Sequence, residues 1–234
     1  MRKSPFVAGE FYHVYSRGNN KQKIFLDNHD KDRFVKLLYL CNSKFSIDFR
    51  EDIVRRNINA WEFERGKNIV SIGAWVLMSN HFHLYLTISR KSDFRKNEVT
   101  EFMRKLLTSY SKYFNRKYGR TGGLFEGKFR SVHITLDRQA KYLFSYIHLN
   151  PIKLIDSKWK EYGVRDIKKS KRFLQKYKWS SYLDYRGIKR EENKILDKKS
   201  FPQYFKNIKD FDTEIFYWLS FNQFAEVAEV GLPQ

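Results

Sequence analysis

Residues 69–88, IVSIGAWVLMSNHFHLYLTI, constrain the fold more than any other stretch of the chain. Two apolar runs, 69–78 and 81–88, meet at the polar pair Ser79-Asn80, and the segment reads as two antiparallel strands joined by a tight turn. Alternate residues of a strand share a face. His81, His83, Tyr85 and Thr87 therefore point one way, and Phe82, Leu84, Leu86 and Ile88 the other. The second set predicts a face covered by helices. The first predicts a face for chemistry or solvent.

The flanking segments alternate between strand and helix patterns. EFYHVYSRGNN reads as a strand in which Phe11, His13 and Tyr15 alternate with Tyr12, Val14 and Ser16, ending in a turn at Arg17-Gly18-Asn19-Asn20. In the next segment Phe34, Leu37, Leu38 and Cys41 fall at helical spacing behind a cap at Asp27 or Asn28. Residues 43–68 are polar and irregular and read as a loop or insertion. Val99, Phe102, Met103, Leu106, Leu107, Tyr110, Tyr113 and Phe114 form the clearest helical stripe, closed by Gly119, Gly122 and Gly123. LFEGKFRSVHI reads as a short strand or bulged pair. LDRQAKYLFSYIHLNPIK reads as a helix capped by Asp137 or Thr135 and ended by Pro151. The order β-α-loop-β-β-α-β-α predicts an α+β fold, an antiparallel sheet covered on one face by helices. A division follows into 1–155 and a basic, aromatic C-terminal extension, 156–234, that includes RDIKKSKRFLQKYK and FDTEIFYWLSFNQFAEV.

Charge narrows the function. Lys and Arg outnumber Asp and Glu by 46 to 26, a net charge of +20, and 18% of the 234 residues are aromatic. That pairing is the footprint of a nucleic-acid binder. Cys41, the single cysteine, excludes an internal disulfide framework and a cysteine-based zinc site. No apolar run approaches the ~18 residues of a membrane span. The N-terminus lacks the apolar core of a signal peptide, so a reducing, cytoplasmic compartment is the default expectation.

Two imidazoles at i, i+2 on a strand can converge on one divalent ion, provided a third ligand or the substrate completes the shell. The plain alternative is a pair of surface histidines. On the helix at 137–150, Ala140, Leu143, Phe144 and Ile147 form the buried stripe. Tyr142, Tyr146 and Asn150 stand at i, i+4, i+8 beside it, with Lys153 beyond. Tyrosines in line are usually packing residues. A tyrosine facing a metal could instead attack phosphorus.

VLMSNHFHLYL resembles the histidine–hydrophobe–histidine motif of HUH single-strand endonucleases, and SYIHLNPIK resembles the tyrosine motif of IS200-like Y1 transposases, in particular their REP-associated branch. FYHVYSRGNNKQKIF, GGLFEGKFRSVHI and KWSSYLDY resemble further segments of that family in order and spacing, over roughly residues 8–155 and again at 178–185. Ser79 stands where the family commonly has proline, and Glu126 where glutamine or a similar residue is often seen. The resemblance implies an HUH core of ferredoxin-like, RRM-like type. It implies His81, His83 and Asn150 as ligands of Mg²⁺ or Mn²⁺ and Tyr146 as nucleophile, with Tyr142 as the rival. The reaction implied is cleavage and rejoining of single-stranded DNA beside hairpins through a 5′-phosphotyrosine, in a prokaryotic cytoplasm, at the nucleoid, by a monomer or homodimer.

Arg17, Asn19, Lys128, Arg130 and Lys153 flank these motifs and are candidates for phosphate or base contacts. The basic run 165–178 is a candidate collective surface for a DNA stem. Two other readings remain: a hairpin binder without catalysis, and a metal-dependent nuclease in which water attacks.

Overall fold

The computed structural model describes residues 5–89 and 97–220; the remainder of the C-terminal aromatic stretch, 221–234, lies outside the described residues. The chain runs β1 (Phe11–Arg17), α1 (Asn28–Leu40), β2 (Ser71–Leu77), β3 (His81–Thr87), α2 (Glu98–Lys117), β4 (Arg130–Ile134) and α3 (Asp137–Leu149). Four further helices follow: α4 (Trp159–Tyr162), α5 (Ile167–Lys176), α6 (Tyr182–Tyr185) and α7 (Ile208–Ser220). The strands form one antiparallel sheet in the order β2-β3-β1-β4. This is the split β-α-β arrangement of a ferredoxin-like core. None of the helices among the described residues is long and apolar enough to cross a membrane.

The 69–88 segment forms the expected hairpin. Trp75 pairs with Leu84 and Leu77 with Phe82, and the Met78 N–H donates to the His81 carbonyl at 2.8 Å. The Ser79 carbonyl accepts from the N–H groups of Ile24 and Phe25, at 3.0 and 3.2 Å, tying the turn to the segment after β1. Gly18 ends β1 against the same turn, its N–H donating to the Asn80 carbonyl at 2.9 Å. A Cβ there would sit 2.3 Å from the Gln22 carbonyl oxygen, so only glycine permits the approach.

Phe82, Leu84 and Leu86, with Val14 of β1, face α1 and α2; the rings of Phe34 and Phe82 lie 4.8 Å apart there. Of the two caps expected, Asp27 or Asn28, Asp27 caps α1, in a reciprocal box with Asp30. Its rim is locked by Lys117, whose ammonium bonds both carboxylates at 2.7 Å.

The opposite face departs from expectation. It is covered rather than left to solvent. α3 packs across it with every residue from Gln139 to Leu149 buried except Lys141. Tyr85 is fully buried against Phe201, its hydroxyl 2.9 Å from that of Tyr204. The single-face expectation fails because α3 carries apolar residues nearly all round, and because aromatic residues far along the chain return to the sheet. α3 also starts differently: neither Asp137 nor Thr135 caps it. The Gln139 side-chain oxygen accepts the N–H groups of Thr135 and Leu136, at 3.1 and 3.2 Å, from inside the first turn.

Segment 43–68 has more structure than an irregular loop. It holds a π-helical turn, Phe49–Arg55, whose Ile53 packs with Leu40 and Ala60. Lys105 of α2 donates to the carbonyls of Ser43, Lys44 and Phe45.

The C-terminal part seals the β2 edge of the sheet. The Leu77 N–H donates to the Trp179 carbonyl, the Ser181 N–H to Trp75, and the Asp197 N–H to Ile72, each at 2.9 Å. Gly73 gives Phe201 room; a Cβ there would fall within 2.7–2.9 Å of that ring. Unpaired strand edges invite association with other chains, and this cover removes one. α5 buries Ser170 and Leu174 and leaves Lys168, Lys169, Arg172 and Lys176 exposed.

His148 joins α3 to this cover. Its Nδ1–H donates to the Phe144 carbonyl at 2.8 Å, and its Nε2 lies 2.8 Å from the Ser181 hydroxyl. Complete burial holds the imidazole neutral, its pKa lowered to about 3. A depressed folded-state pKa means that the neutral form stabilises the fold above the unfolded value of about 6.5, and that this stability is lost as pH falls below it. Unfolding free energy should therefore drop below that pH, with His148 contributing a slope approaching about 1.4 kcal/mol per pH unit. Denaturant titrations from neutral pH downward should show the slope reduced by one proton in His148→Gln; an unchanged slope would contradict the assignment.

Candidate active site

β3 brings His81 and His83 to one face, and β1 lies beside it with Tyr15 opposite His83 and Arg17 opposite His81. The two imidazoles stand 5.0 Å apart between ring centroids, nearly perpendicular at 84°. His83 is buried and His81 half-buried. Each is held through Nδ1. That of His81 lies 2.6 Å from the Asn80 amide oxygen, and that of His83 lies 2.9 Å from His13 Nε2. The nitrogen outside these bonds is Nε2 on both rings.

α3 crosses this face and sets Tyr146 edge-on to His83, ring centroids 5.3 Å apart at 83°. Burial pushes the Tyr146 phenol up to about 12, the neighbouring Asn150 amide pulls it down, and Tyr15 adds to the rise. The group is therefore protonated at neutral pH. Asn150 follows at the end of α3, also buried. Tyr142 stacks on Tyr146 one turn earlier at 6.1 Å, and burial raises its phenol further. Tyr146 lines the open cleft and Tyr142 does not.

The cleft holds about 510 Å³. His81, His83, Tyr146 and Asn150 line its inner wall, and Arg17, Lys21, Lys128, Arg130 and Lys153 its rim. Of the DNA-contact residues expected from sequence, Asn19 alone is not part of this lining. It is exposed and binds the Leu124 carbonyl through its backbone N–H at 2.9 Å. His13, Tyr15, Asn80 and Lys21 escaped the sequence reading. The alternation of β1 puts His13, Tyr15 and Arg17 on one face, but which strand β1 pairs with is a tertiary fact.

Glu126 sets the rim's charge. Its Oε2 accepts from Arg17 Nε and Nη2 at 3.2 and 3.1 Å, and its Oε1 lies 3.9 Å from Arg130. The carboxylate stands between the two guanidinium groups at the rim of the cleft.

The donor set suits a divalent cation. Two imidazole nitrogens and the Asn150 amide oxygen are the neutral groups of the cleft that could hold such an ion. Among the described residues no three His, Cys, Asp or Glu side chains form a cage of their own, so Asn150 and the substrate would have to contribute.

Fold and site define an α+β protein with a cation-rimmed cleft of paired histidines and a buried tyrosine. Among solved structures the chain is similar to a REP-associated tyrosine transposase bound to a REP hairpin. The TM-score is 0.47 and the identity 13%, over 82% of this chain and 89% of that one. It is also similar to tRNA(His) guanylyltransferase from Saccharomyces cerevisiae, with a TM-score of 0.35 and 13% identity over 87% and 83% of the two chains. No protein-family model matches the sequence, and no curated protein matches it. Both likenesses are remote, and the chemistry of the site rests on its own geometry.

Replacing Glu126 by glutamine should release Arg17 and Arg130 for an anion. Exposed ion pairs of this kind are worth about 0.5–1 kcal/mol, so pyrophosphate affinity measured by calorimetry should rise roughly two- to five-fold. An unchanged affinity would show that Glu126 does not compete for the cationic rim.

Proposed function

We propose that this protein is a metal-dependent enzyme that nicks and rejoins single-stranded DNA, of the HUH tyrosine-transposase kind whose motifs its sequence resembles. The observation that carries this reading is the meeting of His81, His83, Tyr146 and Asn150 in one cation-rimmed cleft, from two elements far apart in the sequence. The same motifs make a single strand beside a hairpin the substrate class.

The tyrosine is the nucleophile. Tyr146 Oη forms a bond to phosphorus and gives up its proton to water. The bond from phosphorus to the 3′-oxygen breaks, and that oxygen takes a proton and leaves as a hydroxyl. The product is a 5′-phosphotyrosine and a free 3′ end. Attack by a 3′-hydroxyl reverses the step and rejoins DNA without nucleotide hydrolysis.

A phenol held near 12 needs positive surroundings as its charge develops. Mg²⁺ or Mn²⁺ bound by His81, His83 and Asn150 would polarise the scissile phosphate. Arg17, Lys128, Arg130 and Lys153 hold the backbone phosphates on either side. Tyr15, half-buried in the lining, offers a ring on which a base can stack, an interaction worth about 1–3 kcal/mol. The exposed lysines and arginine of α5 provide a second cationic surface for a stem.

Labelled hairpin DNA with a single-stranded flank, incubated with the protein and Mn²⁺ and then denatured, should yield a covalent protein–DNA band. Tyr146→Phe should abolish it, with at least a hundred-fold loss of cleavage by the order of magnitude expected when a covalent nucleophile is removed. Cleavage without an adduct would assign the attack to water. Binding without cleavage on a panel of hairpins would favour a non-catalytic binder.

A further inference from the structure

His13 lies at the middle of β1, fully buried, and neither the resemblance nor the proposed reaction gives it a role. It sits diagonally across the ladder from His83, since Tyr15 pairs with His83 and His13 with Tyr85. The two rings lie nearly parallel, centroids 5.0 Å apart at 23°, with His13 Nε2 2.9 Å from His83 Nδ1. One hydrogen occupies that contact, and which ring carries it decides what His83 can do. If His83 Nδ1 donates, its Nε2 keeps a lone pair. If His83 Nδ1 accepts, Nε2 of the neutral ring carries a hydrogen and cannot ligate a cation.

His81 shows how the neighbouring ring is fixed. Its Nδ1 lies 2.6 Å from the Asn80 oxygen, an atom that can only accept. The orientation of that amide is set in turn, because Asn80 Nδ2 donates to the Lys21 carbonyl at 3.0 Å. His81 therefore donates from Nδ1, which in the neutral ring leaves the lone pair on Nε2. His13 stands at His83 as Asn80 stands at His81. Tyr146 closes the pair from the other side, edge-on to His83 at 5.3 Å and to His13 at 6.2 Å, shielding the shared hydrogen bond from water.

We propose that His13 is a positioning residue that accepts the Nδ1–H of His83 and so holds His83 in the tautomer whose Nε2 faces a bound cation. This rests on the metal assignment made under the proposed function. His13 keeps its own hydrogen on Nδ1 and does not touch the cation or the DNA. Partners behind metal-binding histidines generally fix the tautomer and ring orientation, and their loss costs about 10–100-fold in metal affinity.

Nitrogen-15 long-range NMR of the histidine rings in the metal-free, full-length protein reads the tautomer directly. The expected result is His83 protonated at Nδ1. Protonation at Nε2, or an average of the two forms, overturns the proposal without any variant. Calorimetry with Mn²⁺ alone gives the second readout. His13→Phe should weaken binding about 10–100-fold, and His13→Gln, whose amide oxygen can accept the same hydrogen, should recover most of it. Equal Mn²⁺ affinity in wild type and a folded His13→Phe variant would also overturn the proposal. A wild-type protein that binds no Mn²⁺ while showing His83 protonated at Nδ1 would overturn the metal assignment, and with it the purpose given to the tautomer, but leave the His13–His83 contact established.

Discussion

The packing of α3 against the histidine face of β3 is the contact on which the rest of the structure depends. It converts a half-polar strand face into an interior. Polar groups placed there must find partners, because an unmet one costs about 1–3 kcal/mol. They do so pairwise. His83 meets His13, Tyr85 meets Tyr204, and His148 of α3 meets Ser181. The same packing brings Tyr146 within ring contact of His83. Burial is also what raises the tyrosine's pKa, so a single packing event both assembles the candidate nucleophile and makes it dependent on nearby positive charge.

The segment after α3 completes this interior. Its Trp179, Tyr182 and Phe211 belong to the same apolar cluster as the sheet, and its backbone covers the open side of β2. Arg190 bonds the buried Asp184 through Nε and Nη2, at 2.8 and 2.5 Å, and donates as well to the carbonyls of Lys178 and Ser180. That knot holds the WSSYLDY turn to the strand. Up to Ser220 the segment thus shapes the wall behind Tyr85, while its exposed lysines face outward on α5.

Much of this was legible in the sequence, for definite reasons. Period-two alternation marked β1 and β3, and period-3.6 stripes marked α1, α2 and α3, because those patterns follow from burial on one face. The i, i+4 spacing already put Tyr146 beside Asn150. What escaped was non-local. No local pattern says that β1 inserts between β3 and β4, so His13 had no visible link to His83. The second cover on the sheet escaped because Phe201 and Tyr204 sit among lysines and turns, where nothing in their neighbours signals a core. Glu126 was noticed as a departure, but its place between Arg17 and Arg130 depends on the pairing of β1 with β4.

The proposed reaction stands or falls on whether Tyr146, and not its stacked neighbour or a water molecule, attacks DNA in the cleft formed with His81 and His83. Peptide mapping by mass spectrometry, after reaction with a hairpin-flanked single strand and nuclease trimming, tests this most directly. The expected result is a nucleotide phosphate attached at Tyr146, absent when His81 and His83 are both replaced by alanine. A modification at Tyr142, or cleaved DNA with no modified tyrosine, would contradict it.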